Sequence, residues 1–395
     1  MFNRGMPGPR IASFGLDRRK LVTLATLALL MACKAVPTAR PPAPPPPPDR
    51  PNANVLPTDS QRHRVALLVP LSGANAAAGQ SIANAATMAL LDTNAANLRI
   101  TTYDTATGAA GAAARAITDG NKLILGPLMS DDIPAVAAAA RPARIPVISY
   151  SNDAARAQRD ILIMGSLPGQ SVTRTIAHAR ARGAARFAGL VPTGEYGQRA
   201  SAALVAAVRA QGGAVTAIES YDRSAASLAA ATRRLRDKGG FDTVMIADGG
   251  RMSAQAAPLV KGRGAQGPRI LGTELWSGES VISATPSLSG AWYSAVSDAR
   301  WRQFSDSYRN RYGGQPFRIA TLGYDSVLLT LRVAREWRPG AVFPTDRLFE
   351  RDGFLGLDGA FRFRPDGAIE RALEVRQVRA GGIDVVSPAP DKFGD

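Results

Sequence analysis

From Arg64 onward, short apolar runs alternate with alanine-rich stretches of helical length, and this alternation limits the fold more than any other feature of the 395-residue chain. Val65-Ala66-Leu67-Leu68-Val69-Pro70 has no polar position, so a strand formed there must be covered on both faces. Helical sequence follows from about Ala76 to Leu91, then a strand from Leu98 to Tyr103 and a helix from Ala109 to Thr118. Lys122 to Leu125 and Pro146 to Ser149 read as further strands around a helix that runs to Ala140. After the helix that carries His178 the rhythm restarts. Strands are expected at Arg186–Val191, Ala214–Ser220, Thr243–Ala247 and Ile270–Gly272, with helices at Gly197–Gln211 and Ala225–Lys238. One more helix spans Ala320–Trp337, and the tail from Phe354 to Val386 reads as strands and turns. Two serial sets of strand and crossover helix imply an α/β chain with two Rossmann-like lobes and parallel-type sheets.

The first sixty residues have a different character. Arg18, Arg19 and Lys20 precede an apolar stretch, Leu21 to Met31, that is short for a membrane span. It ends at Ala32-Cys33, and Cys33 is the only cysteine in the sequence. A small residue before a lone cysteine, directly after such a stretch, resembles a lipoprotein processing site. Residues 1–32 are therefore expected to be a signal peptide and Cys33 to carry lipid, which makes the membrane a partner through that anchor. Residues 33–61 are dominated by Pro41, Pro42, Pro44–Pro48, Pro51 and Pro57, which neither pair in sheets nor continue a helix. At about 3.1 Å per residue this tether reaches on the order of 85 Å. Lys34 is not the Asp that keeps lipoproteins at the inner membrane, so the expected location is the periplasm, anchored to the outer membrane.

The formal charge is +16, and losing residues 1–32 removes five basic residues and one acidic one, leaving +12 on the body. Such a balance favours acidic partners, but no Lys/Arg run is interleaved with aromatics, so nucleic acid is not expected as a partner. Catalytic parts are missing. His63 sits at the edge of the tether, His178 is expected to be a partly exposed residue of an Arg-rich helix, and neither has metal-site spacing. There is no Gly-x-Ser-x-Gly, and Cys33 is consumed by lipid, so no catalytic residue, metal or cofactor is expected and a hydrolase lacks its parts. Gly262-Arg263-Gly264-Ala265-Gln266-Gly267 matches a dinucleotide motif only on paper, because it follows helical sequence and precedes a strand. Trp292, Tyr293, Trp301 and Phe304 read as core.

The body, residues 62–395, resembles the type I periplasmic binding proteins of the leucine/isoleucine/valine-binding group. The resemblance rests on Val65–Gly73 with Ala78-Gly79-Gln80, on Tyr103-Asp104, Ile124–Leu128, Ile145–Ser149 and Tyr196-Gly197, and on Asp358–Phe363 with Pro365-Asp366-Gly367. It implies a type I periplasmic-binding-protein fold whose lobes are joined by a multi-crossover hinge. Lobe 1 would hold about 64–180 and 317–350, and lobe 2 about 184–316 and 351–390. Within that group, Ser149-Tyr150-Ser151-Asn152-Asp153, Leu271–Trp276, Gly290–Tyr293 and Gly323–Ser326 resemble the LpoA-like penicillin-binding protein activators. That branch implies an outer-membrane lipoprotein which binds a bifunctional peptidoglycan synthase and stimulates it, with a proline tether here in place of the helical-repeat domain of its best-known members. The alternative is a solute-binding receptor of an ABC transporter for an amino-acid-like or other polar small molecule.

In α/β sheets, ligands bind beyond the carboxyl ends of the strands. The candidate cleft residues on that ground are Ser72, Ser149, Tyr150, Ser151, Tyr196, Asp248, Glu274, Trp276 and Asp325. They either hold a small polar ligand or cap helices and brace the lobes. Asp131 and Asp132, at a helix start after Gly126-Pro127-Leu128, are expected to repel an anionic ligand there.

Overall fold

The computed structural model describes residues 61–262, 267–390, 392 and 393. The lipid site at Cys33, the signal peptide and nearly all of the proline tether lie outside the described residues, as do the four central positions of the Gly262–Gly267 motif. Its flanks are the end of a helix at Lys261 and the start of a strand at Arg269. No helix among the described residues is long and apolar enough to cross a membrane.

The first sheet contains β1 (His63–Val69), β2 (Leu98–Asp104), β3 (Ile124–Leu125), β4 (Val147–Ser149) and β5 (Ile161–Ile163). All are parallel, in the order β2-β1-β3-β4-β5. The apolar run of β1 is divided between two cores, as its period of two requires. Val65, Leu67 and Val69 join the core under α1 (Ala76–Asp92), while Ala66 and Leu68 join the core under α2 (Ala109–Thr118) and α3 (Ile133–Ala140). The second sheet repeats the plan with β6 (Arg186–Pro192), β7 (Ala214–Tyr221), β8 (Thr243–Ile246), β9 (Arg269–Leu271) and β10 (Trp292–Ala295). Its parallel part runs β7-β6-β8-β9-β10, the same winding as in the first sheet. Helices α4 (Pro168–Arg180) and α5 (Glu195–Ala210) cover one face, and α6 (Ala225–Lys238) and α7 (Gly250–Lys261) the other. A short helix, α8 (Ser280–Ala284), precedes β10.

The last third of the chain passes between the lobes. Helix α9 (Trp301–Tyr312) packs Phe304 and Tyr308 on Ala85 and Met88 of α1, and α10 (Ala320–Ala334) lies in the core of the first sheet. A three-stranded antiparallel sheet, β11 (Phe354–Gly356), β12 (Gly359–Phe363) and β13 (Ile369–Arg371), gives Phe354, Phe361, Phe363 and Ile369 to that same core. The chain then returns as β14 (Glu374–Arg379) and β15 (Gly382–Ser387), which extend the second sheet antiparallel beyond β10. There are thus three crossings, at Gly165–Leu167, Val296–Arg300 and Ala372–Leu373.

This division differs from the expected one. Helix α4 packs Val172, Ile176 and Ala179 against Phe187 and Val191 of the second lobe, so the first crossing precedes the helix rather than following it at residue 180. Likewise α9 and β11–β13 belong with the first lobe, because their apolar residues find their complement there. Both histidines are also more enclosed than expected. His63 begins β1, is buried, and stacks on Trp337 at 4.3 Å. His178 is only 5% exposed, meets Trp292 edge-on at 4.9 Å and faces Arg182 across 3.1 Å at Nδ1. Burial, with the charges of Arg182, Arg174 and Arg269, lowers its pKa to about 4. Trp292, Tyr293 and Phe304 are core residues, and Trp301 is half-buried beneath Arg318.

The lobes share one tight contact. In each lobe the helix after the first strand enters by passing a glycine directly over the carbonyl of the proline at that strand's end. A Cβ on Gly79 would lie 1.8 Å from the Pro70 oxygen, and one on Gly197 would lie 1.7 Å from the Pro192 oxygen. Alanine normally favours a helix over glycine by about 1 kcal/mol. Here the clash with backbone reverses the sign, and Gly79→Ala and Gly197→Ala should each cost about 3 kcal/mol in denaturant unfolding. A variant as stable as the parent would show that the helix can lift from its strand at little cost.

Candidate functional site

Because helices cover both faces of both sheets, the open positions lie at the carboxyl ends of the strands. A cleft of about 570 Å³ is found there, between the lobes. The first lobe lines it with Leu128–Ser130 beyond β3, Tyr150–Asn152 beyond β4, and Arg318 and Thr321 at the start of α10. The second supplies Glu195 and Arg199 of α5, Ser171 of α4, and Glu274, Leu275 and Ser277 beyond β9. All three crossings reach it, through Gly165–Leu167, Val296, and Arg371 with Leu373.

The nine candidates separate into three groups. Tyr150, Ser151 and Glu274 line the cleft. The Tyr150 hydroxyl is 2.8 Å from Ser326 Oγ, and burial raises its pKa. Ser151 Oγ accepts from the Asp153 N–H. Ser149 and Tyr196 stand behind the lining. Ser149 is fully buried and donates to the Pro127 carbonyl at 2.8 Å, while Tyr196 shares its hydroxyl with Thr273 at 2.8 Å and Glu274 Oε1 at 3.0 Å. The other four lie elsewhere. Ser72 is an exposed turn residue that donates to Asp104. Asp248 accepts from Tyr221 at 2.8 Å and Arg223 at 3.0 Å, and Trp276 is buried beneath it, donating its indole N–H to the Asp248 carbonyl and Ser253. Asp325 points from α10 to the β11–β12 turn and accepts from the Leu357 N–H at 2.6 Å. Their strands end correctly for a site, but the side chains serve the lobes' own interiors. Asp131 and Asp132 do not line the cleft either, although they directly follow its lining residue Ser130.

The sequence reading missed several charged lining residues. Arg199 crosses from α5 to the first lobe, donating to Asn152 at 3.1 Å and pairing with Asp153 at 3.1 Å. Burial pushes the Asp153 carboxyl up, yet the Ser130 hydroxyl, the Ala155 N–H and Arg199 hold it below its ordinary value. At the hinge, Asp358 pairs with Arg318 at 2.6 Å, Arg318 reaches Asp298 at 3.6 Å, Asp298 pairs with Arg376, and Arg376 pairs with Glu374 at 2.7 Å. This chain of alternating charges joins both lobes through the second and third crossings. Period-two alternation was the available signal for Arg371, since it follows buried Ile369 by two positions in β13. Among the described residues no cluster of three or more His, Cys, Asp or Glu side chains is arranged for a metal ion.

Two doubly wound lobes, three crossings and a cleft between them define a class of two-lobed ligand-binding folds. The sequence family described as periplasmic binding protein matches residues 63–382, and the chain belongs to it. Among solved structures, a putative branched-chain amino acid ABC transporter protein from Rhodospirillum rubrum is similar at 22% identity and TM-score 0.73, over 82% of this chain and 100% of that one. The branched-chain amino acid transporter substrate binding protein LivJ from Streptococcus pneumoniae, in complex with isoleucine, is similar at 20% identity and TM-score 0.61, over 83% and 100%. An ABC transporter solute binding protein from R. palustris, in complex with benzoate, gives 17% identity and TM-score 0.61, over 85% and 98%. These likenesses establish the type I fold. No curated protein matches the chain by sequence.

Glu274 gives the site a measurable signature. Its Oε2 is buried with no hydrogen-bond partner among the described residues, and burial raises its pKa from 4.5 to about 7, against the opposing Tyr196 hydroxyl. The folded protein therefore holds a proton that the unfolded chain releases between those values. The contribution is complete below pH 4.5 and is lost as pH rises through 7. Glu274→Gln, which stays neutral, should become more stable than the parent as pH rises from 5 to 8, by on the order of 2 kcal/mol in denaturant unfolding. A difference that does not change with pH would mean that Glu274 is already ionised at pH 5.

Proposed function

We propose that this chain is a periplasmic solute-binding receptor of the kind that serves ABC transporters, taking one small polar or amino-acid-like molecule between its lobes without transforming it. The observation that carries this reading is the cleft itself. It has the volume of a small-molecule site, lies at the strand ends of both sheets, and is reached by every crossing between the lobes. Neighbours of the same fold that hold isoleucine or benzoate support it. Lipid attachment at Cys33 with a proline tether would keep such a receptor near a membrane while leaving the lobes free to engage solute.

A second reading has its own support in the sequence. The segments around Ser149–Asp153, Leu271–Trp276 and Gly290–Tyr293 resemble penicillin-binding protein activators, and Cys33 with its tether suits an outer-membrane lipoprotein that reaches a peptidoglycan synthase. The two readings separate experimentally. Residues 61–395 should show a saturable rise in melting temperature with one chemical class among amino acids, aromatic acids and sugars. At a hundred times the dissociation constant the gain is about 2.7 kcal/mol. Ser166→Trp, which places an indole in the cleft, should abolish it. If no class shifts the transition while the same fragment raises crosslinking by a synthase, the activator reading replaces the receptor.

A further inference from the structure

Arg371 is the most unusual side chain in the cleft. It is only 6% exposed, lies at the end of β13 where the chain makes its last crossing, and lines the cavity. Its Nη2 donates to the Met164 carbonyl at 2.9 Å, but Nε and Nη1 find no acceptor. It makes no ion pair among the described residues. Asp358 and Asp325 act on it only through their field, partly offsetting the burial that lowers its pKa. Asp358 is engaged by Arg318 at 2.6 Å and Thr321 at 2.8 Å, and Asp325 by the Leu357 N–H. Arg318 lines the same cleft, close enough to oppose Arg371 electrostatically, and its Nε and Nη2 also lack hydrogen-bond acceptors, although Nη2 lies 3.6 Å from Asp298.

A guanidinium always carries its charge in a protein, and a buried one with two nitrogens unpartnered and no ion pair is costly. A guanidinium with unpartnered N–H groups is matched by a carboxylate, which accepts charge-assisted hydrogen bonds from it. We infer that the molecule held in this cleft is a carboxylate and that Arg371, with Arg318 beside it, is its anchor, an inference that rests on the receptor reading. The backbone holds the anchor firmly. The Arg371 N–H donates to Gln170 Oε1 at 3.0 Å, while Gln170 Nε2 donates to the Ile369 carbonyl, tying β13 to α4 of the other lobe. The carboxylate would therefore sit on the hinge, and the rest of the molecule would extend toward Tyr150 and Glu274.

Matched acid and amide pairs test this directly: benzoate with benzamide, 4-methylpentanoate with its amide, and leucine with leucinamide. Calorimetry and thermal shift would use residues 61–395 as parent, Arg371→Met, Arg371→Lys and Arg318→Met. The parent should prefer an acid over its amide by tenfold or more. Arg371→Met should erase that preference, Arg371→Lys should keep part of it, and Arg318→Met should weaken the acid several-fold. If Arg371→Met does not fold, loss of most of the preference in folded Arg371→Lys supports the anchor. An unchanged preference in either folded Arg371 variant makes Arg371 a structural counter-ion to Asp325 and Asp358 and overturns the inference. Binding of an uncharged compound that Ser166→Trp blocks, with no acid bound, also overturns it but leaves the receptor reading standing. Binding of nothing from any class overturns both.

Discussion

Strands that are apolar on both faces cannot tolerate water on either, and most of this architecture follows from that. Val65 to Val69 send alternate side chains into two separate cores, so helices must lie above and below the sheet. The second lobe meets the same demand with the same strand order. Once both faces of both sheets are covered, polar groups can gather only at strand ends, and the cleft forms where the two sets of ends meet. The close approach of Gly79 to Pro70, repeated by Gly197 on Pro192, is the same requirement at atomic scale. A helix must begin hard against the strand it covers.

The hinge is built from charge rather than from grease. Asp358, Arg318, Asp298, Arg376 and Glu374 alternate in sign from one lobe to the other, and each cation has at least one carboxylate. Buried pairs of this kind lend little net stability, because desolvation takes back much of the Coulombic gain. Their geometry is directional, however, and ties the second crossing to the third. Arg371 borders this network without joining it, which is why its free N–H groups have chemical meaning.

The overall winding was legible in the sequence because it depends on local pattern. Boundaries of β1, α2, α6 and β6 to β9 fall within a few residues of where apolar runs and glycines place them, whereas β10 was not anticipated as a strand. What failed was the assignment of pieces to lobes. Helix α4 has apolar positions at Val172, Ile176 and Ala179 that would suit either sheet, and only tertiary packing decides. The three-residue β5 is too short to show a period of its own. The rule of strand ends led to Tyr150, Ser151 and Glu274, which line the cleft, and also to Ser72, Asp248, Trp276 and Asp325, which do not. A strand end says where a side chain starts, not which way it turns. Arg318 was passed over for the opposite reason, because arginine in an arginine-rich chain reads as surface, and the same habit outweighed the period-two signal at Arg371.

Arg199 also bears on what any occupant of the cleft must do. It fastens α5 of one lobe to Asn152 and Asp153 of the other across the cleft. The protein thus already possesses a bond across its own gap, and any guest competes with it or builds on it. Observed affinity is then a difference between two embraces, the molecule's hold on its guest and its hold on itself.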